Sequence, residues 1–349
     1  LRPGAIVPSE LVIHLTLRCP LSCEHCCFRS DIYQEGHLDL ASVLRSIDEA
    51  AELGTMTRVN FVGGDPFLHP DILRVAAARA RERGLECAVV TSAFWAKTPE
   101  RALTLLRPLA QAGLTRITYS YDDPHALFVP EQQILNGVDA ALALGVTAMI
   151  AVTTEPGCRI DGAYMRGLLA ERADEEKIHI YETAVSSTGR ALDASNEEQR
   201  VARRANENVY RGPCKSAYRN ISVLSNGDIV GCCGVLPKVG PQTLGNVGQD
   251  RLRDAIERAY DDDLMKWIAF EGPIAVLEQI TANTENPRTA DEFDGICEPC
   301  GLLFTPEYRG LLERALPEKI ASLRVQQFVY ERTGDYADPR TKASSDAPA

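Results

Sequence analysis

Three thiols on one short segment of this 349-residue chain have the spacing of metal ligands: Cys19, Cys23 and Cys26, in CPLSCEHC, follow an apolar run over 11–17. Gaps of three and then two residues let a single turn point all three at one centre. Four cysteines would close a zinc site or a cubane cluster, whereas three leave one metal position open to a group that is not protein. A disulfide reading is poor, because the N-terminus shows no basic stretch followed by an apolar run and a small-residue cleavage site. Spacing alone leaves open a structural zinc loop that takes its fourth ligand from His25, Cys27 or elsewhere.

A second constellation lies downstream. Seventeen residues separate Cys214 from Cys232, and two separate Cys297 from Cys300. A hairpin carrying the first pair, with the CxxC beside it, would fill all four positions of a zinc ribbon or a cubane. A thioredoxin-like reading of CEPC is weaker, since no suitable strand precedes it and no helix is expected to start cleanly after Cys300. Cys233 could replace Cys232 by a one-residue slip, which on a strand turns the thiol to the opposite face. Cys87 reads as core packing inside a strand, and Cys27 and Cys233 as neighbours of ligands without a role of their own.

The elements that must position these residues alternate in type. Strands are predicted over 11–17, 58–62, 86–91, 115–121, 147–153 and 177–182, with helices over 39–53, 70–83, 99–112, 131–144 and 161–172. Gly54, Gly84, Gly113 and Gly145 each close an apolar-periodic run and precede a strand. Such alternation predicts an α/β fold of parallel strands with right-handed crossovers, whose functional loops sit at the carboxyl ends of the strands. Residues 190–212 read as a surface helix and linker. Two short strands then flank Ser225-Asn226-Gly227, a strong hairpin signal, and a helix is expected over 250–260. The acidic stretch to 296 is less readable, and 336–349 reads as a disordered tail.

Composition narrows the class. A net charge of −12, from 37 Lys+Arg against 49 Asp+Glu, excludes a broad basic footprint for nucleic acid or an anionic membrane. No run approaches the roughly 18 apolar residues that span a bilayer. Eleven cysteines without a signal peptide point to a reducing, cytoplasmic compartment and to metal sites.

The second strand ends in Gly63-Gly64-Asp65-Pro66, and with the triplet this makes the chain resemble the radical S-adenosylmethionine (SAM) superfamily, where a GGEP-type motif holds that place. Here it reads GGDP. The resemblance implies an open partial (β/α)6 TIM-like barrel and a SAM-binding [4Fe–4S] cluster on Cys19, Cys23 and Cys26. It further implies a Gly-Gly backbone close to the SAM amino group and His25 near the adenine. Thr91 and Ser92 stand where many members carry a Thr-Asn-Gly turn, and Ser120 and Asp122 resemble a Ser-x-Asp that contacts the ribose. Cys214, the Asn226-Gly227-Asp228 turn, Cys232, Leu244-Gly-Asn-Val247 and Cys297-x-x-Cys300 resemble the twitch form of the SPASM extension. That implies one auxiliary [4Fe–4S] cluster.

The expected organisation is an extension at 1–10, the barrel at 11–190, a linker helix at 191–211, a twitch-like hairpin-plus-helix domain at 212–305 and C-terminal helices at 306–335. By resemblance, the activity is reductive cleavage of SAM to a 5′-deoxyadenosyl radical that takes a hydrogen atom from substrate, in an oxidation or crosslink on a ribosomally made peptide. A dehydrogenase or epimerase of a small molecule such as an amino-cyclitol is the alternative, and a zinc-ribbon binding protein the reading from another class. The expected partners are a low-potential donor of the flavodoxin or ferredoxin kind and a separate peptide-recognition protein. Cys158, after strand five, is a candidate hydrogen-atom donor; Tyr181 and Glu182, ending strand six, are candidates to bind substrate or take a proton.

Overall fold

Six parallel strands carry the alternation: β1 (Glu10–Thr16), β2 (Arg58–Gly63), β3 (Glu86–Thr91), β4 (Leu114–Ser120), β5 (Thr147–Thr154) and β6 (Ile178–Ala184). Between them run α1 (Leu40–Leu53), α2 (Pro70–Glu82), α3 (Pro99–Ala112), the short α4 (Asp123–Ala126), α5 (Glu131–Ala143) and α6 (Gly162–Leu169). The structure, a computed structural model, describes residues 7–172, 176–206, 209–233, 243–260 and 262–333. The tail expected at 336–349 lies outside them. Helix starts are set by side chains: Asp39, Thr98 and Asp161 each accept the backbone N–H three residues on. The four glycines behind α1, α2, α3 and α5 all have positive φ, the conformation that ends a helix.

Period-two alternation divides each strand between two environments. Leu11, Ile13, Phe61, Val89, Ile117 and Ile150 point outward into one core shared with the helices. Val12, Asn60, Val90, Ser120 and Thr153 point inward, to a cavity. The expected hairpin forms from β7 (Asn220–Val223) and β8 (Asp228–Val230), with β9 (Thr243–Asn246) beside it. It continues the barrel sheet, because β7 lies parallel to β1 and the strand order is β6-β5-β4-β3-β2-β1-β7-β8-β9. β8 runs back antiparallel to β7, and the chain that leaves it meets β1 at His14, whose Nε2 lies 3.2 Å from the Cys233 carbonyl.

The linker holds α7 (Gly189–Ala194) and α8 (Glu197–Arg204), and α9 (Leu252–Ala259) packs on α1. The stretch that was hard to read contains α10 (Asp263–Glu271) and α11 (Pro273–Thr281), which with α12 (Cys297–Leu303) and α13 (Pro306–Thr333) enclose a second core around Trp267, Phe270, Leu277 and Tyr308. CEPC corrects the sequence reading in one respect, since α12 starts at Cys297 itself, so both cysteines sit on its first turn. No described helix is long and apolar enough to cross a membrane.

Candidate active site

The cysteine loop leaves β1 and is held by backbone and side-chain contacts. Cys19 N–H donates to the Asp31 carbonyl at 2.9 Å and Cys26 N–H to the Cys23 carbonyl at 3.2 Å. The sulfurs of Cys19 and Cys26 accept from the Leu21 and Ser30 amides at 3.4 Å. Arg190, which the sequence reading missed, clamps the loop from α7: its guanidinium donates to the Cys23 and Ser30 carbonyls at 2.6 and 2.7 Å, and its N–H donates to the Cys26 carbonyl at 2.8 Å. Gly189 has φ 56°, and a Cβ there would run into the Cys27 carbonyl. A lone Arg after a strand carries no motif, so only the fold discloses this clamp. Burial pushes the Cys19 thiol up to about 12, with the nearby Asp65 adding to the effect, and burial also raises Cys23. A cationic metal centre is what would draw off those protons.

The GGDP turn packs against the same loop. A Cβ on Gly63 would run into the Thr16 carbonyl and one on Gly64 into the Arg18 carbonyl, while Gly64 N–H donates to Thr16 O at 2.6 Å. Both glycines line the cavity, but the close approach that requires them in this structure is to the chain entering the cysteine loop. Asp65 is fully buried, as is Pro66 nearly so, and neither lines the cavity. Its carboxylate accepts from Phe67 N, Ser92 N, Ser92 Oγ and Thr91 Oγ1 at 2.7–3.1 Å. Asp65 thus places Thr91 and Ser92, which do line the cavity. Ala93, where the family turn has glycine, adopts φ 61°.

Asp122 is likewise buried and outside the cavity lining. It accepts from His125 Nδ1 at 2.6 Å, His125 N at 3.1 Å, His25 Nε2 at 3.1 Å and Thr153 N at 3.3 Å. Burial acts to raise its pKa, but the bonds from His125 and His25 outweigh it and hold the carboxyl well below the usual range. Ser120, His25 and His125 line the cavity in its place. His125 was legible as the last residue of YSYDDPH, three residues after Asp122.

Cys214, Cys232, Cys233 and Cys300 are all neighbours of Cys297. Burial drives the Cys297 thiol far up, and the proximity of Cys233, Cys300, Cys214 and Cys232 pushes it further. The Ser222 hydroxyl donates to the Cys232 carbonyl at 2.6 Å, and His14 Nε2 lies 3.2 Å from the Cys233 carbonyl. Burial lowers His14 to about 4, so the ring is neutral and donates there. Asp294, three residues before Cys297, accepts from Ser187 N and Oγ at 2.7 and 2.6 Å. The 185–190 segment therefore holds the first cysteine loop through Arg190 and the approach to Cys297 through the Ser187 bonds to Asp294.

Between the sets lies a cavity of about 620 Å³, whose wall includes Cys19, Cys23 and Cys26 from the first, Cys297 from the second, and Cys233 beside it. Cys27 lines it too. The three candidate catalytic residues do not. Cys158 opens on a neighbouring pocket of about 280 Å³, walled by Asp123, Glu155 and Gln199, that shares Thr153 and Val185 with the large cavity. Glu182 is in register with Val152 on the outward face and abuts Gly162 of α6. Tyr181, in register with Ala151, shares the inward face but is half-exposed at the sheet edge.

A parallel α/β barrel with a three-cysteine loop after its first strand defines the class. Residues 13–128, about a third of the chain, match the family model of the radical SAM superfamily, so the chain carries a radical SAM domain. YydG of Bacillus subtilis (strain 168), whose name assigns it to peptide biosynthesis, is 25% identical over 298 residues, 84% of this chain and 91% of that protein. The PqqA peptide cyclase of Gluconobacter oxydans (strain 621H) is 34% identical over 117 residues, a span of 33% of this chain and 31% of that enzyme. Among solved structures, anSMEcpe with bound AdoMet superposes with a TM-score of 0.54 at 12% identity, covering 91% of this chain and 99% of that one. The likeness establishes a shared fold.

Proposed function

We propose that this chain is a radical SAM enzyme that removes a hydrogen atom from a peptide substrate held between two iron–sulfur sites. The observation that carries this reading is the cavity with all three cysteines of the first set and Cys297 of the second in its wall. Cys19, Cys23 and Cys26 suit a [4Fe–4S] cluster, with amide N–H groups already directed at two of the sulfurs. When bound, SAM and that cluster supply a hydrogen-abstracting radical. The chain's part is to orient and enclose. Arg190 fixes the loop, Gly63 and Gly64 let the wall close on it, and Ser92 and Ser120 offer hydroxyl oxygens to the bound molecule, while the Thr91 hydroxyl is taken up by Asp65, Ala93 N and Trp95 Nε1. Cys214, Cys232, Cys297 and Cys300 would hold an auxiliary [4Fe–4S] cluster in a twitch-like domain, where full ligation suits electron transfer. The peptide class rests on the YydG and PqqA cyclase likenesses.

Cavity thiols favour a second outcome. Cys233 and Cys27 line the cavity whereas Cys158 does not. A thiol there can return a hydrogen atom to the opposite face of a substrate carbon, an epimerisation, after which one electron and one proton from a flavodoxin- or ferredoxin-type donor restore it. Iron and sulfide analysis after anaerobic reconstitution, with SAM cleavage under dithionite, tests the main reading. About eight iron in the wild type, about four in the Cys19/Cys23/Cys26→Ala variant, and 5′-deoxyadenosine from wild type alone are expected. Zinc in place of iron with no cleavage would leave a metal-stabilised binding protein. In D2O, an epimerised peptide gains one deuterium, whereas an oxidised or crosslinked one loses two hydrogens.

A further inference from the structure

Strand β6 has a partner on one side only. It ends the sheet and pairs with β5 from Ala148 opposite Ile178 to Thr154 opposite Ala184, without a register shift. Ala148 N–H donates to the Lys177 carbonyl at 2.8 Å and Val185 N–H to the Thr154 carbonyl at 2.9 Å, so the odd-numbered residues of this stretch turn their backbone groups to β5. Ile178, Ile180 and Glu182 turn theirs the other way, to an edge where no strand lies among the described residues. Proteins blunt such edges with proline, lysine or a bulge, because an open ladder recruits other chains. β6 reads IHIYETA and has none of the three. Its one carboxylate, Glu182, is turned to the outer face against Gly162 of α6, and Tyr181 stays 42% exposed.

The strand also leads into the site. Thr183, Ala184, Val185 and Ser186 line the large cavity together with the first cysteine set, and the buried Ser186 hydroxyl has no hydrogen-bond partner. An open ladder that runs into a cavity fits an extended chain, whose own N–H and C=O groups alternate at the same spacing. A folded partner could cover the edge but not enter. We infer that the free edge of β6 takes the peptide substrate as an added strand, main chain to main chain through Ile180 and Glu182, and that this pairing carries the adjoining stretch of peptide past Thr183 into the cavity. The inference rests on the peptide reading above and supplies its binding mode.

A bead library of random linear peptides about twelve residues long, enough at about 3.3 Å per residue to pair with β6 and reach the cavity, would be selected on the anaerobically reconstituted enzyme with SAM. The tightest peptide would be remade with a single N-methyl group at each position in turn. Methylation of a paired N–H is expected to weaken binding about three- to tenfold, with every second position along the paired stretch silent. On the enzyme, Glu182→Pro removes one outward N–H and leaves the β5 ladder whole. It should weaken the same peptide by a similar factor with iron content unchanged, whereas Glu182→Ala should bind it as wild type does. Losses without a period of two, with Glu182→Pro no worse than Glu182→Ala, overturn the inference; the peptide reading survives that result if the bound peptide still gains deuterium or loses hydrogen in D2O as SAM is cleaved. Should Glu182→Pro fail to fold, the N-methyl series on wild type decides alone. A dimer that Glu182→Pro splits while peptide binding persists would give the edge to a second copy, which also overturns the inference. A wild type that selects no peptide refutes the peptide reading itself.

Discussion

Asp65 shows how one carboxylate does structural work for a site it does not line. It has no exposure, and four donors from the β2 and β3 loops surround it. Replacing it by Asn turns one acceptor into an NH2 group that faces Thr91 Oγ1 or the Ser92 amide, so at least one buried donor loses its partner. The expected cost for Asp65→Asn is about 2 kcal/mol in denaturant unfolding. SAM affinity should fall as Thr91 and Ser92 lose their fixed place, while iron content holds, since Asp65 touches none of the three ligand cysteines' hydrogen bonds. Asp65→Glu, which restores the family's usual GGEP, should also destabilise, by about 1–3 kcal/mol, because a filled interior has no room for the added methylene. A melt matching wild type for Asp65→Glu would mean that the turn relaxes. The sequence disclosed that this acid matters. It could not disclose that the acid faces protein, because burial depends on how β2 and β3 pack and not on the motif.

At the scale of elements, strands and barrel helices were legible because each carries a local mark: an apolar run, an Asp or Thr at the N-cap, a glycine behind the helix. The 262–303 region carried weaker marks. α10 and α11 are apolar on most sides, so no amphipathic period stands out, and their packing on α13 is long-range. Glu271 organises that packing. It accepts from Lys319 at 2.7 Å, from Gln279 and Gln326 at 2.8 Å and from Trp267 Nε1 at 3.0 Å, joining α10 to α11 and α13. Burial acts against its charge, yet those bonds prevail and hold its pKa down at about 2, against an ordinary 4.5. For a depressed carboxylate the folded state binds fewer protons than the unfolded one. Its contribution is therefore complete above about pH 4.5 and lost as pH falls toward 2. Glu271→Gln should lower stability at pH 6, and its deficit against wild type should shrink by pH 3 in urea titrations of the metal-free chain. A deficit independent of pH would show that the carboxylate's charge contributes nothing.

For the molecule as a whole, the decisive feature is that β7 pairs with β1, which brings cysteines more than two hundred residues apart to one cavity. Sequence spacing indicated two metal loops but not their relation, because a strand added in parallel at the barrel edge leaves no periodic trace. The adjacent Cys232 and Cys233 sit at that junction, and the structure separates their surroundings. Cys233 lines the cavity, with its carbonyl facing His14 of β1, while the Cys232 carbonyl is tied to Ser222 of β7 and Cys232 is absent from the lining. If Cys232 is the auxiliary ligand and Cys233 the cavity thiol, the two variants should differ in kind. Cys232→Ala should lose up to about four iron atoms, because a site built to fill all four positions keeps only three protein ligands and has no SAM to complete it. Cys233→Ala should keep about eight and still form 5′-deoxyadenosine, but should yield a peptide product with no solvent deuterium. Iron loss in Cys233→Ala with none in Cys232→Ala would exchange the two assignments. Deuterium incorporation that survives Cys233→Ala but fails in Cys27→Ala would move the donor to the other thiol of the same wall, a change of residue that leaves the chemistry of the cavity as it stands.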